Sequence, residues 1–295
     1  MSLNTPPDIA KALEGIGTVK CGLSFYKMFM LAILAGIYIG FGAILATTVG
    51  MGWPTSGDWA TSGVKNFLMG SVFSVGLILV VLAGAELFTG NNLISIALCS
   101  KKVKLGHVLK SWIVVWIGNF AGSLLLAAIF FGTGLWKKNP TELSPVGINA
   151  VTIASVKANL SFMDVLFRGI LCNILVCLAV WISISSKEAV GKILAIYFPI
   201  MAFVAMGFEH SIANMYFIPI GLFINTAMPT TSASSINLTA AGWGGAINNI
   251  IAATIGNMIG GVVFVGIIYW SIYLRQGRNA AACAPAATPA TETKK

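Results

Sequence analysis

Long apolar runs constrain this chain more than any other feature, because each is long enough to cross a lipid bilayer. A helix needs about 20 apolar residues to span the hydrocarbon core. Only 9% of the residues are charged and the mean hydropathy is +0.88, whereas a soluble protein carries about 25% charge. The sequence predicts an all-α membrane protein with six transmembrane helices, roughly at 28–50, 65–88, 105–132, 163–186, 190–206 and 247–273.

Two of the predicted crossings are interrupted by a glycine and a glutamate. Gly84 and Glu86 precede a second apolar piece at 91–100, and Gly207 and Glu209 precede another at 211–227. Ionisable groups at membrane depth are costly, and paired interruptions in the two halves of a membrane protein indicate a transport site. We therefore predict that helices 2 and 5 are broken and that the breaks form the functional site.

Short motifs recur in the two halves of the chain. Ile-Gly-Asn-x-x-Gly occurs at 117–122 and at 255–260, and Gly36-Ile37 with Gly40 is matched to Gly169-Ile170 with Asn173. An odd number of spans per copy places the two copies in opposite membrane orientations. These motifs predict an inverted 3+3 repeat, and chance recurrence among 32 glycines is the alternative.

Basic residues are unevenly distributed between the predicted loops. Thirteen lysines and arginines fall on one side and four on the other, so the positive-inside rule places both termini in the cytoplasm. Residues 1–26 have no apolar segment typical of a signal peptide and are predicted to form a cytoplasmic amphipathic helix, with a disordered tail as the alternative. Residues 27–275 form the predicted channel domain, and 276–295 a disordered cytoplasmic tail.

The polar residues at the two breaks have structural and functional interpretations. A broken helix frees backbone groups that need partners, so Glu86 and Glu209 are predicted to accept hydrogen bonds from freed amides; a proton relay is the alternative. Asn91 and Asn214 are grouped with them as supports of the breaks. Thr89 and His210 are predicted to face the conduit, although a lone buried histidine is often only a core residue. Burial disfavours the charged imidazolium, so we expect His210 to be neutral.

Other ionisable residues are predicted to lie at the membrane surface. Lys157 precedes the fourth span on the predicted outer side, where it either concentrates small anions or is an ordinary interfacial lysine. His107 lies in the basic stretch 101–110 and is predicted to be solvated. The five cysteines have no metal-ligand spacing, and neither a metal nor a cofactor is expected. The excess of basic residues is attributed to membrane topology, and no nucleic-acid partner is predicted.

Four segments of the chain resemble the formate/nitrite transporter family. They are Glu86-Leu87-Phe88-Thr89-Gly90-Asn91, Ile117-Gly118-Asn119-Phe120-x-Gly122, the stretch Cys172–Trp181, and Gly207-Phe208-Glu209-His210-Ser211-Ile212-Ala213-Asn214-Met215. The resemblance extends over about residues 10–275. It implies an aquaporin-like protomer of six helices, a homopentamer with one pore per protomer, and transport of formate, nitrite, hydrosulfide, acetate or lactate.

The resemblance also implies roles for particular residues. His210 matches the central histidine of the family, and Thr89 matches the threonine of its loop. Asn173 matches a pore-lining asparagine, and Lys157 matches a lysine of the outer vestibule. The family's apolar constriction positions match Phe73, Leu77 and Phe203, and its inner constriction matches Leu87 and Phe208. The N-terminal helix resembles one that covers or gates the inner mouth.

Both lines of reasoning predict a channel for small weak-acid anions in the plasma membrane, most of all formate. Moving a bare charge through an apolar slit is costly, so the anion is expected to cross after protonation by His210 or by bulk water. Nitrite, hydrosulfide and lactate or acetate are the alternative solutes. A membrane enzyme or sensor is disfavoured because the sequence has no acid/base cluster, and a neutral-solute channel because it has no Asn-Pro-Ala pair.

Overall fold

The computed structural model describes residues 3–53, 59–228 and 238–275, and the predicted tail 276–295 lies outside these ranges. The helices are α1 (Pro6–Cys21), α2 (Phe25–Val49), α3 (Trp59–Phe73), α4 (Val75–Ala83), α5 (Phe88–Asn91), α6 (Ile94–Cys99), α7 (Leu105–Gly132), α8 (Pro145–Ala158), α9 (Phe162–Ser183), α10 (Ala189–Ala205), α11 (Ser211–Ala227), α12 (Leu238–Met258) and α13 (Ile268–Tyr273). A π-helical stretch, Ile259–Ile267, joins α12 to α13, and a short hairpin pairs β1 (Lys137–Asn139) with β2 (Glu142–Leu143).

Several of these helices are long and apolar enough to cross a membrane. Five helical stretches in the described ranges meet that length: Phe25–Val49, Ser62–Ala83, Leu105–Gly132, Phe162–Ser183 and Gly242–Tyr273. Shorter apolar helices occupy Phe88–Cys99, Ala189–Ala205 and Ser211–Ala227. The chain is therefore a mostly helical, multi-pass membrane protein.

Two helix pairs form the largest packing contacts, α2 with α7 and α9 with α12. The close approach includes the last glycine of each Ile-Gly-Asn-x-x-Gly motif, which is Gly122 in α7 and Gly260 in the π-helical stretch that continues α12. A methyl group at Gly122 would meet the carbonyl oxygen of Ile33, and one at Gly260 would meet that of Ile170. Small residues at helix crossings permit such close backbone approach within membranes, so the motif positions the third helix of each half against its first.

The same contacts correct one sequence match. Ile33 and Ile170 occupy equivalent places against the two motifs, so Gly36 corresponds to Asn173 and Ala32 corresponds to Gly169. The predicted match of Gly36 with Gly169 is wrong by four residues, or one helical turn. Helix α2 has three glycines and α9 only Gly169, so a match of glycine with glycine selected the wrong turn.

Helices α1 and α8 precede the first helix of each half. Ser24 and Ser161 follow them, and each serine side chain caps the next long helix by accepting a hydrogen bond from its first turn. Helix α1 packs on α6, where Gly17 lies against Ala97, so the helix predicted for the membrane surface is docked on the bundle. No element was predicted at 145–158. Helix α8 is short and mixes polar with apolar residues, which left no clear period to read.

Candidate functional site

The backbone leaves the helical conformation at two places that hold the predicted site. Helix α4 ends at Ala83 and α5 begins at Phe88, while α10 ends at Ala205 and α11 begins at Ser211. Gly84 and Gly207 adopt φ angles of +81° and +71°, a left-handed conformation that glycine adopts without steric cost. Each glycine therefore ends its helix, and an extended residue leads into the next one.

An asparagine from the third helix of each half satisfies the backbone around each interruption. Asn119 Oδ1 accepts from the Phe88 amide at 2.9 Å, and its Nδ2 donates to the carbonyls of Ala32 and Glu86. Asn257 Oδ1 accepts from the Ser211 amide at 2.9 Å, and its Nδ2 donates to the carbonyls of Gly169 and Glu209. In each half, the one amide and the two carbonyls would otherwise be unpaired in a buried, apolar region, which is costly.

The glutamates have different partners from those predicted. Lys20 Nζ donates to Glu86 Oε1 at 2.8 Å and to Asn91 Oδ1 at 2.9 Å, and Asn91 Nδ2 donates to Glu86 Oε2. The prediction that Glu86 accepts from freed amides is therefore wrong, since both of its oxygens accept from side chains and the Phe88 amide is bonded to Asn119. A buried carboxylate is stabilised better by a cation with added hydrogen bonds than by neutral donors alone.

The second half contains a similar arrangement with one additional residue, but its lysine bonds to the glutamate and not to the asparagine. Lys157 Nζ donates to Glu209 Oε1 at 2.8 Å, and Asn214 Nδ2 donates to Glu209 Oε2 at 2.6 Å. Asn249 accepts from Asn214 and donates both to Glu209 Oε2 and to the Lys157 carbonyl. The side chains of Lys157 and Glu209 are 16% and 4% exposed, against 25% and 9% for Lys20 and Glu86. Glu209 too accepts from side chains rather than from freed amides, and Lys157 is an ion-paired residue.

His210 and Thr89 form the polar centre between the two interruptions. His210 Nδ1 accepts from the Ala213 amide at 3.1 Å, and His210 Nε2 lies 3.0 Å from Thr89 Oγ1. A ring nitrogen that accepts a hydrogen bond carries no proton, so the neutral ring holds its proton on Nε2 and donates it to Thr89. The Thr89 hydroxyl hydrogen is then free to donate to a third group.

A small cavity adjoins His210. It has a volume of 10 Å³ and is lined by His210, Phe73, Leu77, Leu87, Phe203, Ile39, Val176 and Ile200, which is about the room that one water molecule needs. The Phe203 ring lies 5.8 Å from both the His210 ring and the Phe73 ring. The structure thus brings together His210 and four of the five residues predicted for constrictions; Phe208 does not line this cavity.

A larger cavity of 330 Å³ lies on the α1 side of the constriction. Lys20, Glu86, Asn91 and Lys192 contribute polar atoms to it, and Leu13, Ile16 and Gly17 of α1 form part of its wall. Leu77 and Leu87 line both cavities. These two leucines therefore separate the polar cavity beneath α1 from the space beside His210.

Asn173 is fully buried, and its side chain forms hydrogen bonds between helices. Its Nδ2 donates to the Asn257 carbonyl at 2.6 Å and to the Thr89 carbonyl at 3.3 Å, and Cys177 Sγ also donates to the Thr89 carbonyl. Asn173 Oδ1 has no partner in the described part of the chain. The side chain positions the backbone of Thr89, and its pore-lining role stays a prediction.

Sequence reasoning missed several residues of the site. Asn119 and Asn257 were visible within the repeated motif but were treated only as marks of repetition, and Lys20 was counted only for topology. No sequence pattern distinguishes Phe217 from the other apolar residues around it. Its buried ring lies between the Lys157 ammonium, 5.6 Å away, and the Phe73 ring, 6.3 Å away.

Comparison with known proteins places this architecture in context. The family model described as Formate/nitrite transporter matches residues 7–271. The chain is 36% identical over 286 residues to a probable formate transporter of Methanothermobacter thermautotrophicus, covering 93% of this chain and 99% of the relative. It is 37% identical over 279 residues to the formate channel FocA of Escherichia coli strain K12, covering 92% and 95%.

Solved structures show the same fold. A pentameric formate channel with formate bound superposes with a TM-score of 0.73 at 38% identity, covering 85% of this chain and 98% of that one. An ion channel of the FNT family superposes with a TM-score of 0.75 at 28% identity, covering 90% and 98%.

Proposed function

Because this chain belongs to the formate/nitrite transporter family, we propose that it is a channel for small monovalent weak-acid anions, with formate as its main solute. Support comes from relatives that are named formate channels or transporters and from a related structure with formate bound. Nitrite, hydrosulfide and lactate or acetate are the alternative solutes.

The observation that carries this proposal is His210, bonded to Thr89, in the wall of a cavity whose other lining residues are apolar. A water-sized space has room for few heavy atoms, which favours solutes as small as formate. Phe73, Leu77 and Phe203 offer no counter-charge in the described structure. A bare anion would lose its hydration there without replacement, at a cost of several kcal/mol or more.

Protonation removes most of that cost. In the proposed mechanism the solute accepts a hydrogen bond from the Thr89 hydroxyl, whose oxygen is held by His210 Nε2–H. A proton that reaches the solute from His210 must leave Nε2, because Nδ1 is engaged by the Ala213 amide. Bulk water is the other source of the proton. The site then passes a neutral acid through the slit formed by Leu77 and Leu87.

The proposed architecture has six crossings arranged as an inverted 3+3 repeat. Helices α3 to α6 make the second crossing and α10 with α11 the fifth, so both are interrupted at the polar centre. Lys157 lies at the outer mouth and Lys20 at the inner one, and both termini are cytoplasmic. The protein lies in the plasma membrane as a homopentamer with one pore per protomer, and α1 covers the inner cavity. Residues 27–275 form the channel domain, preceded by the cytoplasmic helix and followed by the cytoplasmic tail.

Formate uptake into proteoliposomes tests the site. We expect Thr89→Val and His210→Ala each to lower uptake by about tenfold or more, the factor given by loss of one buried hydrogen bond of about 1.4 kcal/mol. Thr152→Val is the control, because the Thr152 hydroxyl is exposed and bonds only to its own helix. Uptake should rise as the outside pH falls, since protonation supplies the neutral acid. Uptake that is unchanged by His210→Ala and flat with pH would exclude the mechanism.

Solute selection needs a separate comparison. Competition of nitrite, lactate and hydrosulfide against labelled formate ranks the alternatives, with protein-free liposomes correcting for direct leakage of neutral acids. A swelling assay in glycerol should give the protein-free rate, and glycerol entry through the protein would favour a neutral-solute channel.

A further inference from the structure

The corner between α1, α6 and α7 forms a basic pocket outside the conduit. It has a volume of 800 Å³ and receives Thr18 and Cys21 from α1, the loop lysines Lys101, Lys102 and Lys104, and His107 and Lys110 from α7. No acidic residue lines it, and in the described part of the chain none of the four lysines forms an ion pair. Four lysines around one concavity without an acidic residue in its lining favour an anionic ligand.

The backbone at this corner adds donors to the pocket. Helix α7 begins with no side-chain cap and no acid in its first turn. Within the described residues, no acceptor is found for the amides of Leu105 and Gly106. Free amides and the positive end of a 28-residue helix stabilise a bound anion.

An apolar groove continues from the pocket along α7. Leu105, Leu109, Ile113 and Ile117 lie on one helix face, and each is between 43% and 59% exposed. A cavity of 400 Å³ follows this face and is lined by Leu109, Trp112, Ile113, Trp116 and Ile117, with Phe88, Thr254 and Met258 opposite. The face extends over about 18 Å at 1.5 Å per residue, close to the roughly 15 Å thickness of one leaflet.

We propose that this corner binds an anionic phospholipid. Its phosphate-bearing headgroup occupies the basic pocket, and its acyl chains lie in the apolar groove of α7. In such a lipid a charged headgroup at the membrane surface is followed by apolar chains about as long as one leaflet. The basic pocket and the apolar groove follow each other in the same way. The bound lipid touches the end of α1 at Thr18 and Cys21, and so links membrane composition to the helix that walls the inner cavity.

Native mass spectrometry of the full-length protein, released from membranes of phosphatidylcholine with phosphatidylglycerol, tests the headgroup site. Wild type should retain phosphatidylglycerol over phosphatidylcholine. The variant K101Q/K102Q/K104Q/K110Q should lose that preference by about tenfold or more, since a lysine near an anionic surface contributes about 1 kcal/mol. The charge-matched variant K27Q/K187Q/K294Q/K295Q should retain it. Equal retention in both variants would overturn the lipid site and leave the pocket to an acidic protein segment.

Two further arms separate the lipid from other occupants. Inorganic phosphate at millimolar concentration should not displace the lipid; displacement would assign the pocket to a soluble phosphate ligand. Ile113→Ser with Ile117→Ser should weaken retention of dioleoyl but not of short-chain phosphatidylglycerol. Cross-linking of Ile113→Cys between copies would show that a neighbouring protomer, not a lipid, covers the groove.

Discussion

At the scale of single residues, the position of His210 depends on an uncharged side chain that bonds to the neighbouring backbone. Asn257 bonds at once to the Ser211 amide and to the carbonyls of Gly169 and Glu209. It therefore joins α9, the interruption and α11 through one fully buried side chain. His210 can present Nε2 to Thr89 only because the chain on either side of it is held in this way.

Asn257→Ala should destabilise the protein strongly, because it leaves three buried polar groups without partners. We expect a loss on the order of 3 kcal/mol, at about 1 kcal/mol or more for each group. Thermal unfolding in detergent, followed by tryptophan fluorescence, measures this loss. Asn66→Ala is the matched control at an exposed asparagine, and an equal effect of the two changes would contradict the assigned role.

At the scale of elements, α1 is held to the bundle by a buried apolar face and by a lysine near its C-terminal end. Gly17 packs on Ala97, and Lys20 reaches the Glu86–Asn91 pair. Cys21, the last residue of α1, reports on this docking. Burial and, next, the Glu86 carboxylate raise the pKa of the Cys21 thiol. A docked α1 therefore keeps this thiol protonated and slow to react at neutral pH.

Lys20→Met should loosen the C-terminal end of α1 and speed maleimide labelling of Cys21, since exposure returns the thiol pKa toward its ordinary value. The rate should rise several-fold in a background that carries Cys99→Ser and Cys283→Ser. Lys11→Met, at an exposed lysine of the same helix, should leave the rate unchanged. Equal rates in all three proteins would mean that Lys20 does not hold the helix.

At the scale of the whole molecule, the two halves use one set of contacts with unequal burial. Asn249 reinforces the Lys157–Glu209 pair, whereas its counterpart in the first half, Ser111, is buried and its hydroxyl has no partner among the described residues. His210 occupies the place that Leu87 holds at the other interruption, since both precede the helix after the break in an extended conformation. Two similar backbone arrangements thus present a polar residue, His210, at one interruption and an apolar residue, Leu87, at the other.

This inequality predicts unequal losses of stability. Lys157→Met should cost about 3–5 kcal/mol, because it leaves a buried carboxylate unpaired, and Lys20→Met should cost less because water reaches Lys20 more readily. Unfolding temperatures of the two variants in detergent measure the difference. Adding Glu209→Gln should recover part of the loss in Lys157→Met. Equal losses, or no recovery, would show that the pair is not a buried charge interaction.

The sequence alone determined that the chain is a multi-pass helical membrane protein of a known family, because apolar run length and local motifs are properties of neighbouring residues. It also pointed to the two interruptions, since glycine and glutamate are conspicuous among apolar neighbours. Only the tertiary structure decided which residues satisfy the interruptions. The pairings of Lys20 with Glu86 and Asn257 with Ser211 join positions 66 and 46 residues apart, and contacts at that separation depend on helix packing and leave no local pattern to read.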